Sequence, residues 1–387
     1  MNETLRVGVI GCGNVVRYGH YPALTTLPDA RCVALADVTE ARRKMGQDWF
    51  SLPDDKLYAD YRALLEYEDL DAIVVTVPQG IRREIVLDCI AAGRHVLSEK
   101  PIASTPAIAQ ELIDAADAAG VTFGMVHNYH FLPEFRLLKQ KLSEGLIGDL
   151  RLLTMHFLGV IDYPGAAEYQ SDWRHKLGAG GGVLMDMIHA VYLMEWMFGA
   201  PAQQVSAFVD ALEYRDRSPE VEDLAMVNIA YPTGYGAIHM GWGRGVGGHD
   251  ASGSGGQIRI RYDQYQVGGF SRPAEFYSVN DWQRTDHPIP DTLPEHMGNI
   301  ARSFTLLWDD FHHAIREKRD PIAPARAGLR ALEVTLAAYL SGVTGRTIPL
   351  PLPTDHPVYR NGIYGLAEVA PMPGSKTRAA GIFNLRD

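Results

Sequence analysis

The sequence predicts an α/β protein with two domains: an N-terminal, doubly wound parallel sheet and a C-terminal α+β domain with a large open, mainly antiparallel sheet. Three observations predict this fold class. The chain has 387 residues, which is too many for one ordinary hydrophobic core. From residue 5 to about 125, short apolar runs alternate with helical stretches, a pattern typical of a parallel sheet covered by helices. After residue 150, apolar and polar residues alternate with a period of two, which is typical of antiparallel strands.

The first domain is predicted to span residues 1–126. Its apolar runs define five strands, separated by enough residues for crossover connections, at Val7–Ile10, Cys32–Ala36, Ala72–Thr76, His95–Ser98 and Thr122–Met125. The stretch from Pro106 to Ala119 has the composition of a helix, and Gly120 ends it. Such sheets bind ligands beyond the carboxyl ends of their strands, so candidate site residues are expected there.

The second domain is predicted to span residues 127–350, and residues 351–387 form a C-terminal extension. Period-two alternation marks the segments 153–157, 223–231, 235–242 and 258–262, and the middle two meet across Pro232-Thr233-Gly234. Helices at Ser303–Glu317 and Ala327–Thr344 are expected to complete the domain. The extension is rich in proline and glycine and is either a tail or an arm onto a partner subunit.

Composition and charge exclude several classes of partner. The formal net charge of −11, without a block of basic residues, argues against nucleic acid and anionic membrane surfaces. No uncharged apolar run is long enough to span a bilayer, and no signal peptide precedes the first strand. Cys12, Cys32 and Cys89 lie in apolar surroundings and are predicted to be reduced, buried thiols, so the protein is expected to be cytoplasmic. His312 and His313 lack partners at ligand spacing and are predicted to lie on the surface, so no metal site is expected.

A glycine-rich turn is the candidate nucleotide site. The run Gly11-Cys12-Gly13-Asn14-Val15-Val16 follows the first strand and opens a helix. Gly11 and Gly13 permit a tight turn and a close backbone approach to a pyrophosphate, which binds the helix N-terminal amides, including those of Asn14 and Val15. Val16 replaces the third glycine of the usual fingerprint, so a strand-to-helix turn without a ligand stays open as the alternative.

Two further segments extend this site. Asp37 ends the second strand, 21 residues after Val16, close to the spacing at which a carboxylate receives the adenosine ribose hydroxyls. A carboxylate there repels a 2′-phosphate, so NAD is favoured over NADP, although Arg42 and Arg43 lie close by and weaken that preference. Alternatively, Asp37 caps a turn or helix. The run Thr76-Val77-Pro78 ends the third predicted strand and either lines the cofactor groove or simply begins a loop.

The run Glu99-Lys100-Pro101 is the strongest candidate for chemistry in the first domain. It follows the strand His95–Ser98, and its proline stiffens the backbone that carries the lysine. At this strand end the Lys100 ammonium group faces the nicotinamide end of the groove, where it can hydrogen-bond a substrate hydroxyl and stabilise a developing alkoxide. Glu99 and Lys100 are therefore predicted to contact the cofactor, and Lys100 the substrate as well. The alternative is a solvated lysine at a strand end.

A helix led by glycines is the candidate site in the second domain. Gly180-Gly181-Gly182 lead into a predicted helix over residues 183–198, which is apolar nearly all round and therefore buried. At three residues apart, Asp186 and His189 share one face of this helix, and Glu195 lies opposite. Histidine titrates near neutrality, which suits a general base that takes an alcohol proton as hydride leaves the same carbon. A satisfied Asp–His pair in the core is the alternative.

Aromatic and basic residues before the glycines are candidate substrate contacts. Tyr163 and the run Asp172-Trp173-Arg174 are expected to face the substrate, because an aromatic ring suits a sugar face and arginine suits a hydroxyl or carboxylate. Asn128, Tyr129 and His130 follow the domain boundary, where Asn128 is expected to contact the cofactor and His130 the substrate. Ordinary packing between the domains explains both groups equally well.

Together these motifs resemble the glucose-fructose oxidoreductase / inositol dehydrogenase (Gfo/Idh/MocA) family of nicotinamide-dependent sugar and polyol oxidoreductases. The resemblance covers residues 5 to about 350 and also rests on Gly145-Leu146-Ile147-Gly148 and Ser341-Gly342-Val343-Thr344-Gly345-Arg346. It implies an N-terminal Rossmann domain and a C-terminal domain whose open sheet often mediates dimers or tetramers. It also implies that Lys100 is the active-site lysine and that Asp186 and His189 are the catalytic acid and base.

Three positions depart from the family pattern. The family usually spaces the acid and the histidine four apart, and the spacing of three in this chain turns His189 by roughly 100° about the helix. Arg82 stands where many members have histidine, and Val16 replaces the small third residue of the nucleotide turn. An unusual branch of the family is therefore expected.

The leading hypothesis is a cytoplasmic, homodimeric or homotetrameric NAD(H)-dependent dehydrogenase that acts on a hydroxyl carbon of a sugar, polyol or sugar acid. In it, His189 exchanges the hydroxyl proton, Asp186 orients His189, and Lys100 polarises the oxygen. Two alternatives stay open. One is a redox-neutral enzyme that retains NAD and acts on a glycoside or sugar by transient oxidation. The other is a non-catalytic, nucleotide-responsive regulatory protein.

Overall fold

The computed structural model of the protein describes residues 4–66, 69–160, 173–212, 220–242, 246–265, 273–290 and 298–369. The chain forms two compact units and crosses between them repeatedly. The first unit contains Met1–Ala103, Ile108–Leu132 and Leu293–Leu329, and the second contains Ser104–Ala107, Pro133–Thr292 and Arg330–Asp387. Residues 293–329, which the predicted boundary assigns to the second domain, thus belong to the first unit, where Trp308 packs against His20.

Helices occur in both units. In chain order they are α1 (Tyr21–Thr26), α2 (Glu40–Phe50), α3 (Tyr61–Leu65), α4 (Gln79–Ala91), α5 (Pro106–Ala119), α6 (Pro133–Ser143), α7 (Val183–Asp186), α8 (His189–Phe198), α9 (Asn299–Glu317), α10 (Ala325–Thr344) and α11 (Pro357–Asn361). A π-helical turn, Val16–His20, precedes α1. Short 3₁₀ turns include Asn128–Phe131, Trp173–His175, Leu177–Ala179 and Gly362–Glu368.

The first unit is built on a six-stranded parallel sheet. Its strands are β1 (Leu5–Ile10), β2 (Ala30–Ala36), β3 (Leu57–Tyr58), β4 (Ala72–Val75), β5 (His95–Ser98) and β6 (Phe123–Met125). The spatial order is β3-β2-β1-β4-β5-β6 and each neighbouring pair is parallel, which confirms the doubly wound sheet. Every residue of β4 is buried, as expected of a strand covered on both faces. The two-residue β3 is too short to be predicted from periodicity.

The second unit is built on a nine-stranded sheet. Its strands are β7 (Leu150–Val160), β8 (Gln204–Asp210), β9 (Leu224–Tyr231), β10 (Gly234–Trp242), β11 (Val246–Gly253), β12 (Gln257–Tyr265), β13 (Glu275–Asn280), β14 (Gln283–Asp286) and β15 (Ile348–Pro349). The spatial order is β14-β13-β12-β11-β7-β10-β9-β8-β15. β7 and β10 pair in parallel, and the other neighbouring pairs are antiparallel, which confirms the mainly antiparallel sheet.

The two faces of the nine-stranded sheet differ in their cover. Leu153 of β7 is fully buried and pairs with Gly236 of β10. A Cβ atom at Gly236 would lie 2.6 Å from the sulfur of Met194, so α8 packs closely on this face. On the opposite face, Phe208 and Tyr235 are 76% and 65% exposed. Among the described residues, this second face of the sheet therefore carries exposed apolar side chains.

The prediction of one continuous apolar helix over residues 183–198 is wrong. α7 ends at Asp186, α8 begins at His189, and the segments that end and begin at these residues are bent by 46°. Met187 and Ile188 form the break. Neither is a proline or a glycine, the usual sequence signals of a kink.

The described part of the C-terminal extension packs within the second unit. α11 and the turn Gly362–Glu368 bury Val358 and Leu366 completely. Gly362 has a φ of +58°, and a Cβ atom there would lie 2.2 Å from the carbonyl oxygen of Ser104, so this close approach requires glycine. Residues 370–387 lie outside the described residues.

The cysteines and histidines singled out from the sequence have different outcomes. Cys12, Cys32 and Cys89 are free and buried, as predicted. His312 is only 5% exposed, so the prediction of a surface residue is wrong for it, whereas the side chain of His313 is 49% exposed. α9 packs on α1 and the π-helical turn, and this contact covers one side of the helix.

Two searches of the described residues bear on metals and membranes. Within that part of the chain, no group of three or more His, Cys, Asp or Glu side chains is arranged to hold a metal ion. In the same residues, no single helix has the length and apolar character needed to cross a membrane. The segments Leu177–Asp186 and His189–Phe198 reach that length and composition only as a bent pair.

Candidate active site

The loops after β1 and β4 meet at the point where the strand order of the parallel sheet reverses. β1 has β2 on one side and β4 on the other, so their crossover connections leave in opposite directions and open a crevice at the carboxyl ends. Gly11 follows β1 with a φ of +90°, and a Cβ atom there would lie 2.9 Å from Thr76 Oγ1. Thr76 Oγ1 donates a hydrogen bond to the Gly11 carbonyl oxygen at 2.6 Å. The two loops are thus tied together at the expected ligand edge.

The rest of the glycine-rich turn combines an open backbone with close packing. No heavy atom lies within 4 Å of a Cβ atom built at Gly13, so its backbone faces open space that a pyrophosphate can approach. Val16 is fully buried and begins the π-helical turn. The small residues that allow close packing lie elsewhere: a Cβ atom at Gly19 would meet the Phe304 ring at 2.7 Å, and one at Gly46 would meet Cys12 Sγ at 2.5 Å. This explains how the turn forms without a third glycine.

Asp37 ties the glycine-rich turn to the start of α2. Its carboxylate accepts a hydrogen bond from the Cys12 amide at 2.8 Å through Oδ2 and one from the Thr39 amide at 2.8 Å through Oδ1. Each oxygen keeps a second lone pair, so the carboxylate can still receive ribose hydroxyls. Arg43 donates to the Asp37 carbonyl oxygen at 2.7 Å. Burial, reinforced by the neighbouring Asp37, raises the pKa of Cys12 to about 12, so that thiol is not a nucleophile at neutral pH.

Lys100 follows β5 and is half-buried. Its amide donates to the Glu99 carboxylate at 3.1 Å, and the peptide bond to Pro101 is cis. β5 pairs with β4, so Lys100 and Thr76 follow neighbouring strands of the sheet. The predicted positions of Lys100, Thr76 and Gly11 at one edge of the sheet therefore agree with the strand order.

Arg82 is a buried cation beneath this segment. It lies in the first turn of α4, is 3% exposed, and donates to the carbonyl oxygens of Val77 at 2.7 Å and Glu99 at 2.5 Å. A further bond reaches the carbonyl oxygen of Pro101. Burial lowers the pKa of Arg82 to about 10, against the opposing effect of Glu99. The guanidinium fork thus joins the loop after β4 to the residues on both sides of Lys100.

Asn128 and His130 lie in the 3₁₀ turn after β6. Asn128 is 4% exposed, and its side-chain amide donates to Ser303 Oγ of α9 at 3.0 Å. His130 is 3% exposed and stands edge-on to His127, with ring centroids 5.8 Å apart. Both side chains are buried, and their predicted contacts with cofactor and substrate stay predictions.

In the second unit, Asp186 is paired with Arg174. Arg174 Nε lies 3.2 Å from Asp186 Oδ2, so the arginine predicted to bind substrate also holds the candidate acid. Asp186 ends α7, and His189 begins α8 after the break. The expected rotation of His189 by roughly 100° assumed one continuous helix; it does not apply to two bent segments.

His189 contacts a tyrosine that the sequence analysis did not single out. His189 is 7% exposed, and its Nδ1 lies 2.6 Å from Tyr192 Oη. When Nδ1 carries the ring proton and donates to Tyr192, the lone pair of Nε2 is available to accept a proton. Tyr192 follows His189 by three residues, a helical spacing from which the contact can be expected.

Glu222 is a buried acid beneath α7. It is fully buried, and its Oε1 accepts hydrogen bonds from the Leu184 amide at 2.8 Å and from Tyr339 Oη at 2.9 Å. A Cβ atom at Gly182 would lie 2.5 Å from Glu222 Oε2, so the glycine makes room for the carboxyl group. Burial raises the pKa of Glu222 to about 8, so this group is largely protonated at neutral pH. Glu222 fixes the start of the helix that carries Asp186.

The remaining predicted substrate residues are only partly described. Tyr163 and Asp172 lie outside the described residues, and Trp173 begins the short turn Trp173–His175. Chemically, the first unit offers a dinucleotide crevice with a cation at its edge, and the second offers a carboxylate and an imidazole on adjoining helix ends. The open backbone at Gly13 and the carboxylate of Asp37 both fit a dinucleotide.

The fold and these features define a class: an oxidoreductase with an NAD(P)-binding Rossmann domain. The sequence model of an oxidoreductase family, described as an NAD-binding Rossmann fold, matches residues 5–127. The sequence model of the same family's C-terminal alpha/beta domain matches residues 139–350. The chain belongs to the Gfo/Idh/MocA oxidoreductase family, which confirms the resemblance seen in its motifs.

Two named relatives are each 28% identical to this chain over the residues that align. It is 28% identical over 299 residues to the dTDP-3,4-didehydro-2,6-dideoxy-alpha-D-glucose 3-reductase of Actinomadura kijaniata, covering 76% of this chain and 83% of that protein. It is 28% identical over 200 residues to a scyllo-inositol 2-dehydrogenase (NADP(+)) of Bacillus subtilis (strain 168), covering 51% of this chain and 53% of that protein. The second match therefore spans about half of each protein.

Solved structures share the fold at lower identity. The aldose-aldose oxidoreductase of Caulobacter crescentus, complexed with glycerol, has a TM-score of 0.78 and 21% identity, covering 90% of this chain and all of that one (100%). The WlbA dehydrogenase of Bordetella pertussis, in complex with NADH and UDP-GlcNAcA, has a TM-score of 0.73 and 24% identity, covering 91% of this chain and 100% of that one. These likenesses concern the fold.

Proposed function

We propose that this protein is an NAD(H)-dependent oxidoreductase that transfers hydride between nicotinamide and a hydroxyl carbon of a sugar, polyol or sugar acid. The observation that carries the proposal is the placement of Lys100 at the carboxyl end of β5, beside the tied loops after β1 and β4. The substrate class is supported by the names of its relatives, a deoxyglucose 3-reductase and a scyllo-inositol 2-dehydrogenase.

The proposed roles follow from the chemistry of each side chain. The nicotinamide, when bound, accepts or gives the hydride. Lys100 donates a hydrogen bond to the reacting oxygen and stabilises the negative charge that develops there. Nε2 of His189 takes the hydroxyl proton, while the N–H at Nδ1 donates a hydrogen bond to Tyr192 Oη. Asp186, paired with Arg174, supplies the negative charge that orients and stabilises the protonated imidazole.

The proposed preference for NAD over NADP rests on Asp37. A second negative charge from a 2′-phosphate next to this anchored carboxylate is unfavourable. Relatives use either nucleotide: one is named as an NADP(+) enzyme, and a structural neighbour was solved with NAD+. Arg42 and Arg43 are close enough in the chain to reduce the preference, and Arg43 is already bonded to the Asp37 carbonyl oxygen.

We further propose that the protein works in the cytoplasm as a homodimer or homotetramer. Three buried, free thiols suit a reducing compartment. The open face of the nine-stranded sheet exposes Phe208, Met226 and Tyr235 by 76%, 42% and 65%. Apolar side chains on an unpartnered sheet face favour association with a second copy.

The proposal is tested by the absorbance of reduced nicotinamide during a screen of sugars, polyols, sugar acids and glycosides, with NAD and NADP supplied separately. We expect a change in absorbance with at least one sugar or polyol, and faster turnover with NAD. Conversion of a glycoside without net reduction would favour the redox-neutral alternative. Nucleotide binding with no turnover across the panel would favour the regulatory alternative and overturn the proposal.

A further inference from the structure

We propose that His20 is a positioning residue for Lys100 and acts through the carboxylate of Glu99. The inference rests on the proposed function, in which Lys100 meets the reacting oxygen. It assigns a role to a buried histidine that precedes Lys100 by 80 positions in the chain.

His20 lies in an enclosed place within the first unit. It is fully buried and ends the π-helical turn Val16–His20. The Phe304 ring meets the imidazole edge-on, with centroids 4.8 Å apart. π-Helical turns are rare and occur frequently at functional sites. A polar ring enclosed by aromatic side chains requires hydrogen-bond partners, because burying it unpaired costs free energy.

Trp308 fixes which nitrogen of the His20 ring accepts a hydrogen bond. The indole nitrogen of Trp308 lies 3.0 Å from His20 Nδ1 and can act only as a donor. His20 Nδ1 must therefore accept, so it carries no proton. The neutral ring then holds its proton on Nε2.

The Nε2 proton of His20 faces the carboxylate of Glu99. Glu99 Oε1 lies 3.5 Å from His20 Nε2, which is longer than an ordinary N–H···O hydrogen bond. Both atoms are buried and neither has a hydrogen-bond partner among the described residues, so a contact between them is the one that satisfies both. The second oxygen of the same carboxylate accepts a hydrogen bond from the amide of Lys100 at 3.1 Å. The contacts therefore run in one direction, from Trp308 through His20 to Glu99, and Glu99 holds the backbone of Lys100.

This arrangement complements the contacts of Arg82. Arg82 binds the carbonyl oxygens of Glu99 and Pro101, and Glu99 binds the Lys100 amide between them. If Glu99 loses its contact with His20, its carboxylate is free to rotate and to release that amide. A shift of about 1 Å in a catalytic group can lower turnover by about 100-fold. His20 is thus placed to affect the chemistry without touching the substrate.

Two variants of similar polarity separate the proposed role from a general role in stability. In His20→Asn the side-chain oxygen reaches about as far as Nδ1, so it can still accept from Trp308 but cannot reach Glu99. In His20→Gln the amide nitrogen reaches about as far as Nε2 and can donate to Glu99. His20→Asn therefore keeps the contact with Trp308 and loses that with Glu99, whereas His20→Gln keeps the contact with Glu99 and loses that with Trp308.

The direct measurement is hydrogen exchange at the Lys100 amide in the full chain. The Thr39 amide is the matched control, because it also donates to a carboxylate, that of Asp37, at 2.8 Å. We expect exchange at Lys100 to be at least about 10-fold faster in His20→Asn and within about 3-fold of wild type in His20→Gln, with Thr39 unchanged in both. Turnover should fall about 10- to 100-fold in His20→Asn alone, with NAD affinity unchanged.

Equal exchange at Lys100 in the two variants would overturn the proposal, and so would a rise of equal size at Thr39. If His20→Asn does not fold, Glu99→Gln tests the same contact from the other side and should also speed exchange at Lys100. The exchange measurement needs no substrate. A protein without any turnover would therefore refute the proposed function while leaving the Lys100 result interpretable.

Discussion

The two units hold their candidate site residues by different means. In the first unit the side chains at the strand ends bind backbone groups. Asp37 accepts hydrogen bonds from two backbone amides, and Thr76 donates one to the Gly11 carbonyl oxygen. In the second unit the candidate acid and base are each held by another side chain, in the pairs Arg174–Asp186 and His189–Tyr192. Backbone contacts fix a loop whichever residues surround it, whereas a side-chain pair is lost when either member is replaced. The second unit should therefore be the more sensitive to single substitutions and to pH.

The largest expected effect concerns Lys100, the proposed catalytic lysine. In the proposed function its ammonium group stabilises charge on the reacting oxygen, so we expect Lys100→Met to lower turnover by about 10²- to 10⁴-fold. NAD affinity should stay within about 3-fold, because Asp37 and the glycine-rich turn are untouched. Steady-state kinetics and fluorescence titration with NADH check this. Lys44→Met, at a lysine paired with Glu40 on the surface, is the control and should be neutral.

The next effect tests the close fit between Gly182 and Glu222. In Gly182→Ala the alanine must adopt a φ of +108°, which is strained for any residue with a Cβ atom. Its Cβ atom would also lie 2.5 Å from the Glu222 carboxyl group. We expect the free energy of unfolding to fall by about 2–4 kcal/mol. Gly199→Ala is a matched control, since its φ is +68° but its nearest neighbour, Lys139 Nζ, lies 3.9 Å away; it should lose about 1 kcal/mol. Equal losses in urea unfolding would show that the Glu222 contact is unimportant.

A third prediction concerns pH. Burial raises the pKa of Glu222 from 4.5 to about 8, and the nearby Asp223 acts in the same direction. The folded state therefore binds this proton more tightly than the unfolded state. The contribution to stability is full below pH 4.5 and is lost as the pH rises through about 8. Glu222→Gln keeps the shape without the titration, so the fall in melting temperature between pH 5 and 8 should become smaller. An unchanged pH dependence would argue that Glu222 is already ionised.

The smallest effect concerns the choice of nucleotide in the first unit. Asp37→Ser removes the negative charge opposite a 2′-phosphate but leaves a hydroxyl near the amides of Cys12 and Thr39. We expect the ratio of kcat/KM for NAD to that for NADP to fall about 10-fold, mainly through KM. Arg42→Ala should shift the ratio in the opposite direction. A ratio that is the same in wild type and Asp37→Ser would mean that another residue selects the nucleotide.

The features that follow from strand order could be predicted from the sequence, since they need only the topology of a parallel sheet. Gly11, Asp37, Thr76 and Lys100 come directly after buried strands, so their shared edge follows from the succession of strands and helices. The open antiparallel sheet follows similarly from period-two alternation.

The features that depend on distant partners could not be predicted. His20 meets Trp308 and Glu222 meets Tyr339, contacts that join residues 288 and 117 positions apart. The break at Met187 and Ile188 has no proline or glycine to mark it, and a uniformly apolar helix shows no change of period there. The sequence shows that Arg82 stands where many family members have histidine. Its contacts with three carbonyl oxygens, however, depend on how two loops meet in space and could not be predicted.

The interleaving of the two units has a consequence for how the chain is made. The first unit needs Leu293–Leu329 to enclose His20, and the second needs both Ser104–Ala107 and residues after Arg330. In many proteins the N-terminal domain folds first as the chain leaves the ribosome. In this protein the parallel sheet lacks α9 until Asn299–Glu317 has been translated, so the first unit completes its core only after β7 to β14 of the second unit have been made.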